Sequence, residues 1–172
     1  MDKQTEEIKN KFRTVKWSQH VCGSGSVFEN TEGTRKLLAS LTAKYNIRSI
    51  SDAGAGDLSW IHATEWPHEV EYRAYDIFPR HEDVNEFDIT SQVLPKADLI
   101  LCRHVLNHLF RWPDRCQQAM KNFVDSGSTY LLATHVTEQA TEYNKMWGEP
   151  LQTTSEFIGN RLWCFSFWKI ND

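Results

Sequence analysis

From Ile47 to Asp52 apolar and polar residues alternate, the next stretch reads Ala53-Gly54-Ala55-Gly56-Asp57, and a helix-compatible run opens at Ser59. A period of two that ends in paired glycines predicts a strand over Arg48 to Asp52, a tight loop, and a short helix over Ser59 to Glu65 stopped by Pro67. Upstream, Ile8, Phe12 and Val15 recur at helical spacing in a polar stretch, which predicts an amphipathic helix over Asp2 to Trp17. Gly23 and Gly25 mark Trp17 to Phe28 as a loop, either a lid or a plain connector. Asn30 or Thr31 can cap a second helix running to Tyr45, with Leu37, Leu38 and Leu41 on its buried face.

Downstream the period of two returns. Val70 to Tyr75 reads as a strand ending at Asp76, and Val84 to Phe87 as a short one ending in Asp88-Ile89-Thr90. Ala97 to Cys102 is almost continuously apolar after Asp98, the pattern of a central parallel strand buried on both faces. Trp112-Pro113 opens a helix whose Cys116, Met120 and Phe123 form one stripe and which Gly127 ends. Thr129 to Thr134 is a further strand, His135 to Trp147 has no strong period, and Leu162 to Ile170 carries a strand's aromatic and β-branched content. Only 38 residues follow Thr134, so an abbreviated C-terminal region is expected.

Composition adds bounds. A chain of 172 residues with 40% hydrophobic content is long enough for one domain with a single core. Nineteen Lys and Arg against 23 Asp and Glu give a charge of -4, so no basic field points to a nucleic-acid partner. The four cysteines, Cys22, Cys102, Cys116 and Cys164, form no close pair and read as reduced thiols. A charged N-terminus and no membrane-length apolar run lead us to expect a cytoplasmic protein without a membrane partner.

The loop chemistry narrows the ligand. A dinucleotide fingerprint would place a third glycine at position 59, where Ser59 stands, and Asp52 and Asp57 would repel a pyrophosphate. The loop suits a cation, and S-adenosylmethionine (SAM), with an ammonium, a sulfonium and no phosphate, fits on charge. Asp76 lies 20 positions after Gly56 at a strand end, where a doubly wound sheet sets a carboxylate on both ribose hydroxyls.

Asp52-Ala-Gly-Ala-Gly-Asp57 resembles the first motif of the class I SAM-dependent methyltransferases. Gly25-Ser-Val-Phe-Glu-Asn-Thr31 and Cys102-Arg-His-Val-Leu-Asn-His-Leu109 resemble an uncharacterised bacterial and phage branch of that superfamily. The resemblance spans roughly residues 20 to 135. It implies an α/β fold, a three-layer, doubly wound, mostly parallel Rossmann-like sheet with an antiparallel last strand, as a single domain over 1–172 in which 1–28 is an N-terminal helix and loop. It implies SAM as cofactor, with Asp52, Gly54, Ala55, Gly56, Asp76, Ile77, Asp88, Ile89, Cys102 and Arg103 as its binding residues. In that family an Asp at position 88 accepts from the adenine amino group; a turn cap is the other reading of Asp88. Ile77 and Phe78 would pack on adenine or belong to the core.

The polar group after the central strand, Arg103, His104, Asn107 and His108, would face the transferable methyl. His104 is the candidate base, with His108 beside it, although relatives often carry an acid at that position and the ring could instead bond a loop. His104 and His108 have a chelating spacing, but no third ligand accompanies them, so no metal is expected. Base-methylating motifs are missing after the central strand. The expected activity is methyl transfer to an oxygen or nitrogen of a small molecule, with Arg103 or Arg111 engaging an anionic group. His135, Glu138, Tyr143, Asn144 and Trp147 are acceptor-site candidates. The alternative is a catalytically silent SAM-binding protein, a sensor, partner subunit or inhibitor, and a nucleotide-sugar or dinucleotide enzyme is a third option.

Overall fold

The computed structural model describes residues 3–14, 22–158 and 161–172, so Val15 and Trp17 of the expected first helix, and the start of the loop after it, lie outside the described residues. The sheet is built around Leu99–Cys102 (β4), four apolar residues that are all buried, as a strand covered on both faces must be. On one side lie Ser49–Ala53 (β1), Glu71–Asp76 (β2) and Val84–Glu86 (β3); on the other lie Tyr130–His135 (β5), Arg161–Lys169 (β7) and Gln152–Ile158 (β6). The order is β3-β2-β1-β4-β5-β7-β6. The first five strands run parallel, and β7 is antiparallel to both neighbours.

Helices cover both faces. Glu32–Tyr45 (α2) buries Leu38 and Leu41 against Ile50, Leu99, Leu101 and Leu132. Asn46 then closes the helix in the left-handed conformation, φ 51°, one of the few non-glycine residues that tolerate it. Thr31 does stand before α2, but its hydroxyl donates to Phe28 O and accepts from Arg35 instead of capping a helix amide. On the other face Leu106–Leu109 (α3), Pro113–Asp125 (α4) and Ala140–Trp147 (α5) meet the sheet. Cys116, Met120 and Phe123 form the predicted buried stripe of α4. Lys3–Thr14 (α1) adds Ile8 to the same cluster, beside Tyr75 and Ile89.

Three features differ from the sequence pattern. The helix expected over Ser59 to Glu65 is only a 3₁₀ turn, Ile61–Ala63. Trp60 and Ile61 are consecutive and both buried, which pins the chain to the core on adjacent residues, and Pro67 leaves too few residues to offset helix nucleation. Next, the stretch without a clear period contains α5, where burial is carried by the single i, i+4 pair Tyr143 and Trp147. Finally, the pattern does not announce β6, an edge strand that pairs only with β7 among the described residues and is mostly exposed, so it needs no apolar alternation. The short C-terminal region therefore still supplies a helix and a sixth strand.

Tyr143 and Trp147, candidates for the acceptor site on sequence, are instead core: with His135, Phe123 and Trp168 they form an aromatic cluster under the sheet. His135 spends its ring nitrogens on Val136 O and Ser166. Glu138 is exposed, and Asn144 bonds Glu149. No described helix is long and apolar enough to cross a membrane.

Candidate functional site

With a parallel sheet and no α-helix between β1 and β2, β2 and β3, or β3 and β4 among the described residues, the carboxyl ends of these strands open into a cleft. It has a volume of about 140 Å³ and is roofed by Ile8 and Phe12 of α1. Its floor is the glycine loop. Gly54 has φ +95°, and a Cβ there would stand 2.1 Å from Val105 Cγ2; at Gly56, φ +67°, it would stand 2.8 Å from Cys22 Sγ. Both positions therefore require glycine.

The loop amides face inward. Gly54 and Ala55 N–H both donate to Tyr75 O, at 2.7 and 3.0 Å, and Gly56 N–H donates to the Asp76 carboxylate at 3.0 Å. Those donors are committed, so this loop lacks the convergent amides that hold a pyrophosphate. Asp57 accepts from Ser59 N–H and is a turn residue.

The carboxylate of Asp76 is held by one amide on each oxygen, from Gly56 and from Phe78, the latter at 2.9 Å. Each oxygen keeps one further acceptor place toward the cleft, the arrangement a vicinal diol can use. Burial pushes its pKa up against those bonds and Arg80. Asp52, 2% exposed, also lines the cleft and accepts a hydrogen bond from Tyr72 OH. Burial pushes its carboxyl up to about 7; the Tyr72 bond opposes this, Asp76 adds to it, and Arg103 opposes it. The Arg103 guanidinium is buried too, with Nη2 on Gly25 O at 2.5 Å, Cζ 5.2 Å from the Trp60 ring centroid, and Nε without a partner among the described residues. Burial lowers it to about 10. A buried acid and a buried guanidinium side by side match the ammonium and carboxylate of an amino-acid moiety.

Asp88 is more crowded. Its Oδ1 accepts from Thr90 N–H and Thr90 OH, and its Oδ2 from Ser91 OH and from Thr5 OH of α1. All four places of the carboxylate are taken, as the turn-cap reading requires, so an adenine amino group would have to displace Thr5 or Ser91. Ile77 and Ile89 line the cleft beside it, with Phe87. Cys102 does not line the cleft; its thiol is buried in the core.

Beyond β4 the chain turns at His104, φ +55°, a left-handed conformation that histidine adopts more readily than most side chains. Its N–H donates to Thr134 Oγ1 at 2.6 Å, its ring stands edge-on to Trp163 at 4.2 Å, and Nε2 is buried with no partner among the described residues. Burial first, then Arg103 and His108, lower the imidazole to about 2. His108, edge-on to Phe12, is lowered to about 4 by burial and then Lys11. Both rings line the cleft as neutral groups. Among the described residues no cluster of metal-ligating side chains occurs. Arg111 is exposed and outside the lining.

Sequence reasoning missed Cys22, Ser26, Trp60, Arg80 and Val105, which also line the cleft. Arg80 bonds Phe12 O at 2.7 Å, tying the β2–β3 connection to α1. Lone residues in loops carry no periodicity by which to find them.

No protein-family model and no curated protein matches the chain. Among solved structures it is similar to magnesium protoporphyrin IX methyltransferase from Synechocystis PCC 6803 with bound SAM, at 14% identity over 97% of both chains and a TM-score of 0.71. It is also similar to the N-methyltransferase NodS from Bradyrhizobium japonicum WM9, in complex with S-adenosyl-L-homocysteine (SAH), at 12% identity over 98% of both chains and a TM-score of 0.68. A third is 1,6-didemethyltoxoflavin-N1-methyltransferase from Burkholderia thailandensis, at 11% identity over 98% of this chain and 88% of that one and a TM-score of 0.66. The chain has the fold of these methyltransferases.

Proposed function

We propose that the protein is a SAM-dependent methyltransferase acting on a small molecule. The observation that carries this is the Asp76 carboxylate, pinned by two amides with its remaining acceptor places turned into the same cleft as Asp52 and Arg103, over a loop whose glycine amides are already used. Asp76 would hold the ribose hydroxyls, Asp52 the ammonium, and Arg103 the carboxylate. Ile77 and Ile89 would flank the adenine, with Asp88 bonding its amino group once Thr5 or Ser91 gives way. When bound, SAM supplies a methyl group on an already activated sulfonium. The chain's own residues then have to orient the acceptor and exclude water, which Phe12, Trp60, Val105 and Leu109 would do by closing apolar surface around the cleft.

His104 and His108 sit where the acceptor would approach, at the carboxyl end of β4. As neutral, desolvated imidazoles they suit hydrogen bonding better than proton abstraction. Two of the fold neighbours named above act, by their descriptions, on small molecules, a protoporphyrin and a didemethyltoxoflavin, which agrees with a small-molecule acceptor here. Incubation with methyl-labelled SAM and a metabolite extract tests the proposal: label is expected in a small molecule. Tight SAM binding with label in no acceptor would favour the silent-binder alternative.

A further inference from the structure

We propose that Tyr72 is a positioning residue for the amino-acid end of the cofactor: its phenol, with Gly25 O opposite, holds Asp52 and Arg103 apart, so that one stays free for the ammonium and the other for the carboxylate. The inference rests on the SAM-dependent reading above.

Asp52 and Arg103 are both buried, line the same cleft and feel each other's charge, yet no ion pair joins them among the described residues. Opposite charges left adjacent and unpaired in a buried place are costly unless a ligand completes both. Each is held from its own side. Arg103 Nη2 donates to Gly25 O, and Asp52 Oδ2 accepts from Tyr72 OH.

The strand register sets up the second bond. Tyr72 pairs with Ile50 and Ala74 with Asp52, so Tyr72 and Asp52 are diagonal neighbours on one face of the sheet, within reach of an aromatic side chain. Ala74, directly across from Asp52, carries only a methyl group and leaves the phenol room to lean along the strand. Tyr72 is outside the cleft lining and packs with Ile50 and Ala74 on the α2 face. The phenol therefore bonds Asp52 from within the fold, and Oδ1, with no donor among the described residues, is left for the cleft. An aspartate carboxyl otherwise turns over a broad range of χ2. Released from the phenol, it is free to swing onto the guanidinium, and the two charges then satisfy each other. A ligand that carries an ammonium and a carboxylate on one carbon completes both groups at once; a ligand with neither gains nothing from their separation.

The test titrates the full chain by calorimetry at pH 8 with SAH and with 5′-methylthioadenosine, which shares the adenosine and the thioether but lacks the ammonium and the carboxylate. Tyr72→Phe keeps the ring in its cluster and removes only the hydroxyl. It should weaken SAH binding about fivefold or more and leave 5′-methylthioadenosine within about twofold. Parallel weakening of both ligands, or no change in either, overturns the role of Tyr72. A wild-type chain that binds the two ligands equally overturns the paired ammonium and carboxylate sites while leaving the adenosyl reading intact, and one that binds neither overturns that reading too. Where 5′-methylthioadenosine binds too weakly to titrate, the pH profile of SAH affinity from pH 5 to 8 decides. Removing a hydrogen bond to the charged carboxylate raises its pKa, with Asp76 and Arg103, the other charged groups acting on it, unchanged; the fall in affinity should begin about one pH unit higher in the variant. Coincident profiles overturn the inference.

Discussion

Replacing Asp52 by Asn should stabilise the protein at neutral pH and cripple it as a SAM binder. The carboxyl is buried, and its pKa moves from 3.8 to about 7 on folding. A group whose folded value is raised contributes stability that is complete below the unfolded value and is lost as pH rises through the folded one, here between 3.8 and about 7. Over that window the native state gives up about 4 kcal/mol, at ~1.4 kcal/mol per pH unit. Asparagine is nearly isosteric, can still accept from Tyr72, and does not titrate. Urea denaturation of both proteins at intervals from pH 5 to 8 should therefore show the variant gaining on the wild type as pH rises, by ~3 kcal/mol between pH 5 and pH 8. A cationic ligand reverses the preference. Since it binds the ionised carboxylate, SAM affinity of the wild type should fall about tenfold per pH unit below 7 and binding should release a proton, while the variant binds weakly without that dependence. Parallel stability curves, or a variant less stable than wild type at pH 8, would refute the raised carboxyl.

Other perturbations test separate parts of the site. Asp76→Ala should weaken SAM binding more than about tenfold by removing both ribose bonds, and should also loosen Gly56, measured by calorimetry. Gly54→Ala drives a Cβ into Val105 at φ +95°, so a destabilisation of roughly 1–3 kcal/mol with loss of SAM binding is expected in urea titration and calorimetry; Val105→Ala in the same chain should recover only the steric part. Trp147→Ala should cost ~3–5 kcal/mol in the same denaturation assay while leaving the affinity of the folded protein for SAM unchanged, as a core residue remote from the cleft.

Where burial imposes a strict period, the sequence displays the structure. The apolar run of β4, the stripe of α4 and the alternation before Gly54 each translate into an observed element. The missing helix after the glycine loop follows from Trp60 and Ile61 anchoring side by side, a tertiary effect invisible to local pattern, and β6 from the freedom of an edge strand. In the site, Asp52, Asp76 and the glycines were legible because strand ends and backbone conformation constrain them. Asp88 was ambiguous on sequence because one carboxylate can serve a turn or an adenine, and the bond from Thr5, 83 residues away, is a long-range contact. The acceptor side was least legible: His104 is framed by Thr134, Trp163 and Gly25, from three distant stretches.

Calorimetric titration of the full chain at pH 8 with SAM, SAH and NAD in turn tests the central claim most directly. One site per chain for SAM and for SAH, with no heat from NAD, is the expected result. Binding of NAD with neither adenosyl ligand bound would contradict a cleft built for a cationic adenosyl cofactor.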